Sequence, residues 1–254
     1  MMGAMNGKVA VVTGASKGMG RSFARLLAAR GAKVAALARP SEALDGVAAE
    51  LGDRGLAIAC DMSVASEVTA AVNRAAEHFG ALDCLVNNAA VVDVLKLETT
   101  TDAQIEWQFA ANLFGSIYAT RAAIPHLRAG GGGDLVFISS ESVRMAFPGL
   151  TLYTASKAAI EGLALGLRRE LRAQGTRVTV LRSGAVDTQS ISGDWPAEKL
   201  ADFLAEGRQS GCLDFSGTYA APESMAEALL AVLSLPRDVN VDLIEPRARA
   251  RLQG

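Results

Sequence analysis

The chain has 254 residues, half of them hydrophobic and a fifth charged, the balance of a folded protein with a sizeable core rather than a disordered one. Its 25 basic and 27 acidic residues leave a formal charge of −2, which gives no electrostatic footprint for a nucleic-acid backbone or an anionic membrane. Three scattered cysteines, Cys60, Cys84 and Cys212, and two histidines, His78 and His126, argue against a disulfide framework and against a metal centre. No apolar run approaches the ~18 residues of a membrane span, and the start lacks the apolar core of a signal peptide. The expectation is a cytoplasmic protein of one domain, residues 1–254.

Short apolar runs alternate with helical patterns along the chain. The first run, Lys8–Thr13, is followed by Met19, Phe23, Leu26 and Leu27 on one helix face, with Gly31 placed to end that helix. Lys33–Ala38 and Leu56–Cys60 come next, then Val68, Val72, Ala75, Ala76 and Phe79 at helical spacing, ended by Gly80. Leu82–Val86 precedes a long helix over Ala103–Leu127, and the four glycines 130–133 read as one surface loop before Leu135–Ser139. A helix from about Tyr153 to Arg172, the run Arg177–Arg182 and a last run Val239–Ile244 complete the series. The runs are continuous rather than alternating, as in parallel strands covered on both faces. The reading is an α/β fold: a single doubly wound, Rossmann-type sheet of about seven parallel strands with helices on both faces. Only Ser190–Gly217 breaks the rhythm, with a short helical piece at Ala197–Glu206. An insertion there sits over the ligand crevice of such a sheet, as a substrate lid at about 190–217.

The first crossover carries Thr13-Gly14-Ala15-Ser16-Lys17-Gly18-Met19-Gly20. Glycines between a strand and a helix allow a sharp turn and a close approach to a pyrophosphate at the helix N-terminus. The same residues spell the G-x-S-x-G of a serine hydrolase, which would need Ser16 activated by His78 or His126. Only one strand precedes Ser16, so no earlier strand–loop unit supplies an oxyanion-hole amide, and that reading falls behind. The second strand ends in Ala38-Arg39, where an acidic residue would favour NAD. Ala38 accepts nothing, whereas Arg39, joined by Lys17, suits a 2′-phosphate; NADP(H) is expected, with NAD second.

Tyr153 and Lys157 lie four residues apart, on one helix face and one turn from each other. A free tyrosine titrates near pH ~10, and a close cation lowers that value, making the phenol a usable proton-transfer group. Ser140 stands just after the fifth strand, and Asn112 sits inside a long helix, where an amide is locally unfavourable and asks for a functional reason.

With these features the chain resembles the short-chain dehydrogenase/reductase family over nearly its whole length. The likeness rests on Thr13–Gly20, Asp61, Asn87-Asn88-Ala89, Asn112, Ser139-Ser140, Tyr153/Lys157 and Gly184–Thr188. The resemblance implies Tyr153 as general acid/base and Ser140 as the hydrogen-bond partner of the substrate oxygen. It implies Lys157 on the nicotinamide ribose and Asn112 anchoring a water in a relay to Lys157. It further implies cofactor contacts at Thr13, Gly14, Ser16, Lys17, Gly18, Met19, Gly20, Arg39, Asp61, Met62, Asn88, Ala89, Gly184, Val186 and Thr188, with Asn87 supporting the adenosine side. Two positions depart from the family: its N-N-A-G ends here in Ala90, and its P-G after the sixth strand is Ser183-Gly184.

The resulting expectation is an NADP(H)-dependent oxidoreductase interconverting a ketone or aldehyde and an alcohol. A non-catalytic dinucleotide-binding sensor or scaffold is the alternative, though a sensor needs no tuned phenol. Val91, Val92, Met145, Phe147, Leu150, Leu152, Trp195 and Phe215 suggest a bulky apolar substrate. The helix from Tyr153, with small residues at 158, 159, 162 and 166, and the helix carrying Phe109, Leu113, Phe114, Ile117 and Tyr118 hold more apolar surface than one stripe can use. A homo-oligomer, tetramer or dimer, is expected.

Overall fold

The computed structural model describes residues 5–188, 195–212 and 219–249. Seven strands form one parallel sheet: β1 (Val9–Thr13), β2 (Lys33–Ala38), β3 (Gly55–Ala59), β4 (Cys84–Asn87), β5 (Asp134–Ser140), β6 (Arg177–Ser183) and β7 (Leu243–Ile244), in the order β3-β2-β1-β4-β5-β6-β7. Helices α1 (Gly18–Ala29) and α2 (Glu42–Leu51) cover one face together with α9 (Pro222–Leu233). On the other face lie α3 (Ala65–Phe79), α5 (Gly115–Ala129) and α7 (Thr151–Leu171). Short α4 (Asp102–Phe109) leads into α5, α6 (Ser142–Met145) follows β5, and α8 (Ala197–Gln209) precedes α9.

The continuous apolar runs have the physical cause the sequence suggests. Val9, Val11, Leu85, Leu135 and Phe137 face α3, α5 and α7, while Ala10, Val12, Val86, Val136 and Ile138 face α1 and α9. Period-two alternation thus splits each strand between two apolar clusters, leaving no polar face. The caps agree as well: Gly80 ends α3 in the left-handed conformation (φ 77).

Two elements differ from the sequence reading. The helix expected over Ala103–Leu127 is interrupted by a π-helical turn at Ala110–Phe114, centred on buried Asn112. Such bulges cost hydrogen-bond regularity and cluster at functional sites. The last strand, expected from Val239, is only Leu243–Ile244, because the Asn240 side chain occupies the β6 edge: its Oδ1 accepts from the Val178 amide at 3.0 Å. The expected helix at Ala197–Glu206 is α8, one turn longer; the lid residues 190–194 and 213–217 lie outside the described residues. No helix among the described residues is long and apolar enough to cross a membrane.

Candidate active site

The strand order reverses between β1 and β4, and the chain leaves these neighbouring strands in opposite directions around the sheet, opening a crevice at their carboxyl ends. Thr13 and Asn88 close its floor. The Thr13 hydroxyl accepts from the amides of Asn88 and Ala89, each at 3.0 Å, and Asn88 Nδ2 donates to the Thr13 carbonyl at 2.9 Å. The glycine turn folds tightly on this clasp. Gly14 has φ +65, and a Cβ at Gly20 would lie 2.2 Å from the Gly14 carbonyl oxygen, so side chains at either position would push the turn apart. Lys17 stands at the N-cap of α1 and supplies no side-chain cap, leaving that helix start suited to an anion.

Around this turn the remaining sequence candidates have distinct places. Arg39 is exposed just past β2. Asp61 accepts from both the amide (2.8 Å) and hydroxyl (2.7 Å) of Ser63. These bonds and, more weakly, the Arg39 charge hold its carboxyl below the usual range. Met62 packs its carbonyl against Gly115, where a Cβ would approach to 2.6 Å. Met19 meets the Ser183 hydroxyl at 3.5 Å, and Val186 bridges Ala220 beyond β6. Thr188 is 7 % exposed and its hydroxyl has no partner among the described residues, the state expected where a bound polar group completes the bonding. Ser16 is half-buried at the turn. The Gly184 amide donates to the Pro246 carbonyl at 3.0 Å, and a Cβ would strike Arg247 at 2.6 Å. It seats the C-terminal segment.

Other polar side chains also have distinct places. Asn87 does not face the crevice; it is buried and donates to Thr120 of α5 at 3.1 Å. Asn112 spends both amide hydrogens, on the Val91 carbonyl (2.9 Å) and the Ser156 hydroxyl (3.0 Å), while its oxygen accepts from the Val91 amide at 2.7 Å. Its side chain therefore pins the segment after β4 to α7. His78 and His126 lie in the last turns of α3 and α5, which lead into the amino ends of β4 and β5. They are thus at the opposite sheet edge from Ser16, and the hydrolase arrangement is not assembled.

Tyr153 and Lys157, by contrast, are brought together. They sit on the inner face of α7, with the Lys157 ammonium 5.7 Å from the Tyr153 ring centroid. Lys157 is 3 % exposed and donates to the Ile138 carbonyl at 2.8 Å. Its own burial brings it down to about 8. Burial pushes the Tyr153 phenol up to about 12, against the lowering effect of its hydrogen bond with Ser140. The phenol, expected from the Tyr–Lys spacing to be lowered, is thus raised, because loss of water outweighs the Ser140 interaction.

Phe147, Leu150 and Cys212 form a buried cluster beside Tyr153, joined by Val92, Val94, Met145 and Phe203. Trp195 stacks edge-on against Phe203, centroids 5.6 Å apart. Val91 and Leu152 are half-buried nearby in sequence, and Phe215 lies outside the described residues. A cleft of about 340 Å³ runs between α8 and the segment Val94–Thr100, flanked by the ion pairs Lys199–Asp93 and Lys96–Glu206. Sequence reasoning passed over Ser156, Ile138 and Glu161 as partners in the site. Ser156 and Glu161 were detectable as polar residues on the inner face of a helix otherwise apolar there; a backbone carbonyl leaves no mark in a sequence.

A glycine turn at the switch point of a parallel sheet, with a Tyr–Lys pair at its edge, is the working arrangement of a nicotinamide-dependent oxidoreductase. The comparisons with known proteins agree. The family described as short chain dehydrogenase matches residues 8–199. An uncharacterized oxidoreductase of Staphylococcus saprophyticus is 34% identical over 249 residues, covering 94% of this chain and 97% of that protein. A glycine betaine reductase of Emericella nidulans is 35% identical over 250 residues, 96% of this chain but only 19% of the longer relative. The crystal structure of a short chain dehydrogenase from Burkholderia cenocepacia in complex with NADP superposes with a TM-score of 0.81 at 33% identity, covering 95% of this chain and 97% of that one. The chain belongs to the short-chain dehydrogenase family and is an NAD(P)-dependent oxidoreductase acting on small molecules.

Proposed function

We propose that this chain is a cytoplasmic, single-domain, NADP(H)-dependent enzyme that interconverts a bulky apolar ketone or aldehyde and its alcohol. The observation that carries the reading is the convergence of Ser140, Tyr153 and Lys157 at the carboxyl edge of the sheet. The dinucleotide supplies the hydride when bound. The glycine turn Gly14–Gly20, Asn88 and Ala89, Asp61 and Met62, and Gly184, Val186 and Thr188 would hold it, and the Thr188 hydroxyl, without a partner among the described residues, fits that role. Tyr153 moves the proton at the substrate oxygen, Ser140 orients that oxygen, and Lys157 holds a positive charge below the phenol. Asn112 keeps the segment after β4 in place beside them. The apolar cluster around Tyr153 excludes water and takes the substrate, with the region around 190–217 as its lid. Three buried free cysteines suit a reducing compartment. A panel of ketones and secondary alcohols, followed by the absorbance of reduced nicotinamide, tests the reading. Turnover limited to charged keto acids, or absent across the panel, would overturn it.

Arg39 beside the neutral Ala38, with Lys17 across the turn, underlies the choice of NADP(H), as does the bound NADP of the Burkholderia structure. Ala38→Asp with Arg39→Ala is expected to reverse the preference. Each coenzyme's kcat/KM should change by about tenfold or more, since a charge-assisted hydrogen bond contributes ~1.5–3 kcal/mol. Equal or better wild-type kcat/KM with NAD(H) would refute the assignment.

The outer face of α7 supports an oligomer. Gly162 and Gly166 have open space where a Cβ would point, Leu165 is 55% exposed, and Trp107 and Phe114 of the α4–α5 region are each 44% exposed. These faces would pair with their copies across a twofold axis, as a tetramer or dimer. Gly162→Arg is expected to break the assembly in light scattering, and a wild type already monomeric at micromolar concentration would exclude it.

A further inference from the structure

Three consecutive residues of β5 hold three residues of α7 that recur every fourth position. The Ile138 carbonyl accepts from Lys157 at 2.8 Å, the Ser139 hydroxyl donates to Glu161 at 2.6 Å, and Ser140 stands against Tyr153 and lowers its phenol. Positions 153, 157 and 161 succeed one another at one-turn intervals along the same helix face. Two of these contacts belong to the chemistry already proposed. The third involves a carboxylate that touches neither substrate nor coenzyme in that proposal.

Glu161 is anchored on its far side too. Arg182 of β6 grips it with two parallel bonds, Nε to Oε1 at 3.0 Å and Nη2 to Oε2 at 2.7 Å. Arg182 also donates through Nη1 to Glu245 at 3.0 Å, just past β7. Glu245 in turn accepts from Arg144 of α6 at 3.2 Å. The side chains of Glu161, Arg182 and Glu245 are only 19%, 13% and 14% exposed, so the bonds are shielded from water and from screening. Burial pushes the Glu161 carboxyl up, but Arg182 and Ser139 outweigh it and keep it ionised. The chain of bonds therefore runs from α7 through β5 and β6 to the C-terminal segment and back to α6, the helix that directly follows Ser140.

We propose that Glu161 is a positioning residue for proton transfer: its carboxylate sets the register of α7 on β5, fixing the distance between Ser140 and Tyr153, and through Arg182 and Glu245 it makes the segment after β7 a support of the site. A fork–fork arginine pair confers geometric specificity as well as energy. The position needs it, because the Ser140–Tyr153 contact lies at the end of a strand and the start of a helix, where neither element is held from both sides. The proposal rests on the proton-transfer reading of Tyr153, so its test includes a measurement that needs no turnover.

Glu161→Gln, Glu161→Met and Ser139→Ala are compared with wild type. The ultraviolet titration of Tyr153, taken as the difference from Tyr153→Phe, should move to higher pH in Glu161→Met and Ser139→Ala as the Ser140 bond loosens. On the best substrate, kcat should fall by about ten- to a hundredfold, the scale of a misplacement near 1 Å, with coenzyme Kd within about threefold of wild type. Glu161→Gln, which still offers Ser139 an acceptor, should recover part of the loss. Should Glu161→Met fail to fold, Ser139→Ala and Glu161→Gln decide. Unchanged Tyr153 titration and kcat in these variants, with only a lower Tm, would overturn the proposal and leave a structural tie. Loss of kcat in wild type and variants alike, with the titration shift intact, would instead overturn the function proposed for Tyr153.

Discussion

Tyr153→Phe is expected to lower kcat by about 10³-fold or more, the upper range of what a positioned acid or base contributes, while NADPH affinity stays within about threefold. The hydroxyl carries a proton and does not hold the dinucleotide, so the loss belongs to the chemical step. The direction of the pH dependence follows from the phenol, which burial pushes up to about 12. Carbonyl reduction needs the protonated phenol, which is present throughout the neutral range. Alcohol oxidation needs the phenolate, so its kcat should climb as pH rises through the alkaline range while reduction does not. Steady-state kinetics in both directions on one ketone–alcohol pair measure this. A Phe variant that keeps a tenth of wild-type kcat, or an oxidation rate that falls with rising pH, would sink the mechanism.

Lys157→Met is expected to inactivate the enzyme and to stabilise it. The ammonium is buried and donates to the Ile138 carbonyl, and burial brings it down to about 8 against a usual 10.5. A lysine whose folded value is depressed is a cost of folding that is complete below the folded value. The unfolded chain binds more protons between the two values, so wild-type stability rises as pH climbs through that window. Methionine fills a similar volume without the desolvation penalty. At pH ~7 the variant should melt about 2–5 °C above wild type, given the usual ~2–4 °C per kcal/mol for a chain of this size. Its advantage should shrink toward pH ~10.5, where the wild-type lysine is neutral in both states. Its kcat/KM should fall by about 10²-fold or more, as expected when a group that orients the reaction is removed. Thermal melts from neutral to alkaline pH check the sign: a less stable variant at pH ~7, or an advantage that ignores pH, would refute the account. Tyr153 acts oppositely. Its raised value favours folding at neutral pH and loses that contribution above pH ~10.

Stability and function therefore pull apart in this site, which explains what could be read in advance. The seven apolar runs, the glycine turn and the Tyr153/Lys157 spacing are local patterns, and each maps onto a local structure: a strand of the parallel sheet, a tight turn before a helix, two side chains one turn apart. Parallel order and the crevice follow from the alternation of strand and helix, since right-handed crossovers leave few other arrangements. The positions of Arg39 after β2 and Thr188 after β6, at strand ends, were legible for the same reason.

The sequence by itself determined the sheet, its switch point and the shared helix face of Tyr153 and Lys157, because these depend on periodicity and on spacing within single elements. Only the tertiary structure decided what each polar group faces. It turned Asn87 into α5, spent the Asn112 amide on Val91 and Ser156, gave Gly184 to the C-terminal segment, and broke the helix around Asn112 into a π-turn. It also reversed the expected shift of Tyr153. Hydrogen-bond partners and desolvation depend on groups distant along the chain, Ile138 for Lys157 and Glu245 for Arg182, and become defined only when the sheet has brought them together.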